Sequence, residues 1–192
     1  MKKLIIFIVF MFLCIFKVNA ATEPPLLYGN LTWNIENIYY YVDSSASNYA
    51  SIIAKSANNW VYTGYGYNRL WPNTRAYNIS NAAMDIYGYS SVDGSNGYTI
   101  FFARTNGTTG NIYQVNQNST NWLFSEIYLN NYYLASETDT NKQATITHEM
   151  GHVFGLNENN SNPYSIMCQA ASGRAVYLVQ QVDNNAFNRK HP

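Results

Sequence analysis

The chain is short of charge, of cysteine and of long apolar runs, and each shortage closes off a class of function. Only 11% of its 192 residues are charged, and 11 basic residues balance 11 acidic ones. Such a balance gives no basic stripe for nucleic acid and no cationic patch for an anionic membrane. Cys14 and Cys168 are its 2 cysteines, too few for a disulfide framework. A single long apolar run, Leu4 to Phe16, falls short of the roughly 20 residues that cross a bilayer.

That run has the flanks of an export signal. Lys2 and Lys3 precede it, and Val18-Asn19-Ala20 supplies the small-residue pattern of a cleavage site. Residues 1–20 are therefore read as a signal peptide and 21–192 as one domain, long enough for a sizeable core. An uncleaved anchor is the alternative; a lipid on Cys14 is disfavoured by the bulky Leu13. Cleavage removes Lys2, Lys3, Lys17 and Cys14, leaving 8 basic residues against 11 acidic ones. Cys168 is then alone, open to burial, to pairing with another chain or to a metal. The expectation is a secreted protein with no nucleic-acid partner and no membrane association after signal cleavage.

What the chain has in quantity is Asn and Tyr, with 18 tyrosines. Several Asn-x-Ser/Thr triplets follow from the Asn content alone and carry no argument. Leu31 to Val42 reads as a strand with an interruption at Asn34 to Asn37. Asp43-Ser44-Ser45 offers caps for a helix over Ala50 to Trp60, where Ile53, Ala57 and Trp60 recur at helical spacing. Strands follow at Asp85 to Tyr89, Tyr98 to Ala103, Ile112 to Val115 and Glu126 to Asn130. The Asp93-Gly94-Ser95-Asn96-Gly97 connection reads as a tight turn or as a calcium loop. Helices are expected over Lys142 to Phe154 and Arg174 to Arg189, and the class is α+β.

His148 and His152 stand four residues apart on the first of these late helices, so they share one face. Two imidazoles at that spacing can grip one Zn²⁺, and Glu149 beside the first is placed as a general base. Gly155 allows the helix to end in a left-handed residue, after which the chain can double back and bring Glu158 to the metal.

The pattern H-E-x-x-H-x-x-G-x-x-E over His148 to Glu158, followed by Ser165-Ile166-Met167, resembles the metzincin zinc peptidases and their Met-turn. The resemblance implies a metzincin-like zincin domain: a mixed twisted sheet, an active-site helix, a Met-turn with Met167 as structural floor, and a C-terminal helix holding Asp183, Ala186 and Phe187. Within the family the chain is similar to matrixin-like or snapalysin-like domains. Glu158 is a departure, since the family places histidine or aspartate there. Glutamate is a legitimate zinc ligand; His191 and Cys168 are the substitutes if it does not serve.

The resemblance implies a secreted zinc metalloendopeptidase that hydrolyses peptide bonds by a zinc-activated water with Glu149 as general base. An extended peptide or protein substrate would pair against Ile112 to Val115. The alternative is a catalytically weak or inactive metzincin-like module that binds peptide.

Overall fold

The computed structural model describes residues 22–66, 68, 70, 74–107 and 109–192. The expected signal over 1–20 lies outside the described residues. Six strands form one sheet: β1 (Tyr39–Val42), β2 (Thr74–Arg75), β3 (Met84–Tyr89), β4 (Gly97–Asn106), β5 (Thr109–Val115) and β6 (Phe124–Asn130). Their order is β2-β1-β3-β6-β4-β5, parallel from β2 to β6 and antiparallel where β4 meets β6 and β5. The helices are α1 (Ala50–Val61), α2 (Asn131–Leu134), α3 (Asp139–Val153) and α4 (Gln181–Lys190). No helix among the described residues is long and apolar enough to cross a membrane.

Period-2 alternation sorts the sheet into two faces. Tyr40, Val42, Met84, Ile86, Ile127 and Leu129 are buried beneath α1 and α3. The opposite face carries Tyr87, Tyr98 and Tyr128 in stacked pairs, with ring centroids 5.0 and 5.4 Å apart. Ile53, Ala57 and Trp60 form the stripe of α1 that the spacing predicts, all fully buried. Trp60 anchors α1 to α3: its indole Nε1 donates to the Thr147 carbonyl at 2.8 Å, and its ring meets Phe154 edge-on at 5.3 Å.

Several boundaries differ from the sequence reading for local reasons. The strand expected from Leu31 is broken by a 3-10 turn at Ile35–Asn37, whose N–H at Glu36 bonds the Asn34 side chain. Only Tyr39–Val42 pairs in full. Asp43 caps a 3-10 turn, Ser44–Tyr49, that leads into α1 rather than capping α1 itself. The last helix begins at Gln181, not Arg174, because Gln180 and Asp183 close a capping box there. Residues 170–172 form only a 3-10 turn, ended by Gly173 at φ 88°.

Candidate metal centre

Helix α3 starts with Thr138, whose hydroxyl accepts from the Asn141 N–H, and carries His148, Glu149 and His152 in its last turns. It ends as Gly155 turns left-handed at φ 87°. The Gly155 N–H then donates to the His152 carbonyl at 2.9 Å, and the Leu156 N–H to the Gly151 carbonyl at 3.0 Å. That paired termination satisfies carbonyls the helix would leave bare. It also reverses the chain, so that Glu158 returns to the histidines.

The return is close. Glu158 Oε1 lies 3.5 Å from His148 Nε2 and 3.3 Å from His152 Nε2. Zinc bonds of about 2.0–2.2 Å in a tetrahedron put neighbouring ligand atoms roughly 3.3–3.5 Å apart. All three donor atoms sit within 4.8 Å of one another, and theirs is the one such trio among the described residues. Each imidazole is oriented from behind. His148 Nδ1 donates to the Ile166 carbonyl and His152 Nδ1 to the Leu156 carbonyl, both at 2.9 Å. A carbonyl only accepts, so Nδ1 holds a proton in either charge state, and when a ring is neutral its Nε2 lone pair faces the trio. Glu158 Oε2 is buried without a hydrogen-bond partner. An orphaned carboxylate oxygen beside two aimed imidazoles suits a cation, so the donor set fits Zn²⁺.

The electrostatics agree. Burial alone would raise the Glu158 pKa, but hydrogen bonds and charges from His148 and His152 outweigh it and hold the carboxyl at about 2. Burial likewise opposes charge on His152, yet Glu158 and Glu149 together push its pKa above the ordinary value. Glu149 is buried, and one carboxylate oxygen accepts from the Thr99 hydroxyl on β4 at 2.8 Å.

These side chains stand in a cleft of about 540 Å³ between β4, α3 and the segment after Met167. The Ile112 to Val115 strand does not line it. β5 lies beyond β4 and pairs only from Phe101 to Asn106, while Gly97, Tyr98 and Thr99 of β4 form a wall. Among the described residues the outer side of Gly97–Ile100 therefore carries no strand, and the accessible edge expected on β5 is moved to β4. No sequence signal marks Thr99, Arg174 or this edge, because all three arrive through pairing between distant segments.

Met167 is fully buried beneath α3. A Cβ on Gly151 would overlap the Met167 sulfur and come within 3.0 Å of Trp60, so the glycine inside the His-Glu-Met-Gly-His run lets methionine approach the helix. Asp183 of α4 fixes the turn by accepting from the Ser165 hydroxyl and from the Ile166 N–H at 2.9 Å. The substitutes for Glu158 are otherwise engaged: His191 Nε2 bonds the Phe154 carbonyl at 2.8 Å, and Cys168 is buried against the Gln169 carbonyl. At the alternative calcium loop, Asp93 spends its oxygens on the Ser95 N–H, the Tyr89 hydroxyl and the Asn130 amide.

No family model matches the chain. No curated protein matches it. Solved structures do. One is a chain of the GM1 bound form of the ECX AB5 holotoxin, at 15% identity and a TM-score of 0.50. The match covers 88% of this chain and 91% of that one. The path of the chain is shared with a component of a toxin assembly. This corrects the family reading: no family model and no curated protein carries metzincin membership or the metzincin-like label on the α+β fold, and the solved structure just described is a holotoxin chain. The calls of secreted zinc endopeptidase, hydrolase and enzyme are corrected with it. The physical reason is that a ligand spacing of a few residues specifies a metal grip, not an ancestry or a turnover, and a fold at this identity specifies neither.

Proposed function

We propose that this protein is an exported zinc-binding module, one domain over residues 21–192, whose metal-centred cleft receives an extended peptide segment. The orphaned Glu158 Oε2 beside two histidines whose Nε2 atoms are aimed at the same carboxylate carries the metal part. His148, His152 and Glu158 would hold the ion. When bound, zinc supplies a positive centre with a coordination position left for an oxygen of the peptide. The uncovered side of Gly97–Ile100 supports the peptide part, since an extended segment laid there gains main-chain hydrogen bonds. Glu149, held by Thr99, keeps an acceptor in the cleft for an N–H of the bound segment.

The test is zinc content of the purified protein, followed by binding of an unstructured casein fragment with and without chelator. One zinc per chain and binding that chelator abolishes are expected. Absence of zinc, or binding indifferent to chelator, removes the metal from the reading. Chelator-sensitive cleavage of the fragment would overturn the binding-module reading.

A further inference from the structure

Arg174 stands in the same cleft as His148, Glu149, His152 and Glu158, placed there by the left-handed Gly173 that ends the 170–172 turn. Its guanidinium is half-buried and poorly satisfied. Nη1 makes two long contacts, 3.5 Å to the Ile166 carbonyl and 3.4 Å to the Cys168 carbonyl. Among the described residues no carboxylate forms an ion pair with it. A guanidinium carries five N–H donors in a planar fork suited to carboxylate, so the described residues leave most of the capacity of this cleft-lining side chain unspent. Burial pulls its pKa below the usual range, offset in part by Cys168, Glu149 and Glu158.

Charge in the cleft sharpens the point. Among the described residues that line it, Glu149 and Glu158 are the acids and Arg174 is the fixed cation. A divalent ion cancels both acids, which leaves the guanidinium as net positive charge in a partly desolvated wall. Such a group favours an anion that can approach it.

Resting on the peptide reading above, we propose that Arg174 selects segments that present a carboxylate to it beside the metal. The neutral wall of Gln169, Ala170 and Ala171 supplies no competing charge. A side-chain carboxylate and a chain-terminal one share this chemistry, and the experiment separates them.

Zinc-loaded protein is titrated with short fluorescent alanine-based peptides, capped at both ends, that differ only in one Glu or Gln scanned along the sequence. A third set has no acidic side chain and a free C-terminal carboxylate. At the productive position Glu should bind about 10- to 100-fold tighter than Gln, the range of a charge-assisted hydrogen bond. In Arg174→Gln that ratio should fall close to one while zinc content is unchanged, and Arg174→Lys should recover only part of it. Preference confined to the third set assigns the carboxylate to the chain end. Equal binding of Glu, Gln and free-end peptides by the parent overturns the inference and leaves the peptide reading standing; so does a preference that survives Arg174→Gln. Failure of the zinc-loaded parent to bind any of the peptides instead overturns the peptide reading itself. Comparing peptides on the parent needs no variant, so a misfolded Arg174→Gln does not shelter the inference.

Discussion

At the scale of single residues, the proposed metal site sets protons against metal. In the metal-free protein Glu158 has a folded pKa of about 2 against an unfolded 4.5, so its contribution is present above 4.5 and lost as pH falls toward 2. His152 has a folded pKa above its unfolded 6.5, so its contribution is full below 6.5 and lost as pH rises through the folded value. The pair therefore stabilises the metal-free fold most between about 4.5 and 6.5. Thermal melts of chelated protein should show that window, and Glu158→Gln should flatten it. Zinc needs neutral imidazole, so its affinity should climb with pH where the metal-free protein loses the pair; an affinity flat from pH 5 to 8 would contradict this. A second titration sits across the sheet. Asp85 is 3% exposed with an unpartnered Oδ1, and burial, then the neighbouring Glu126, raise its pKa to about 7. Protonated Asp85 suits the fold, and that suitability is lost as pH rises from 3.8 through 7. Asp85→Asn should raise the melting temperature most at pH 8, less at pH 5, and change it little below pH 3.8.

At the scale of elements, a helix and its termination make the centre. The spacing of His148 and His152 made their common face legible, and Gly155 made the reversal legible, because both are local geometry. What the helix rests on was not. Gly151 reads as an ordinary helix-weakening residue, yet it admits Met167 against α3. Gly151→Ala should cost about 1–3 kcal/mol through overpacking, measured by urea unfolding. Met167→Leu, which conserves volume, should cost less and keep the metal. A neutral Gly151→Ala would show that Met167 is free to move aside. The accessible edge was misplaced for a similar reason. Period-2 patterning finds β5 as a strand but not its register on β4, and the register is what leaves Gly97–Ile100 uncovered.

At the scale of the whole molecule, most elements were legible and their arrangement was not. Alternation and helical spacing are properties of short windows. The order β2-β1-β3-β6-β4-β5 is set by long-range pairing, and β2, two residues long, has no pattern to read. The family label failed for a different reason. It rested on few residues, while the chain as a whole matches no family model and shares its path with a holotoxin chain at 15% identity. The central claim stands on geometry within this one chain, that His148, His152 and Glu158 form one metal site. Zinc titration against a competing chelator on the parent, Glu158→Ala and Glu158→His tests it most directly. Removing an outer-sphere partner of a metal ligand commonly costs about 10- to 100-fold in affinity, so loss of the ligand itself should cost at least 100-fold in Glu158→Ala, with Glu158→His close to the parent. Equal affinity in all three proteins would contradict the account.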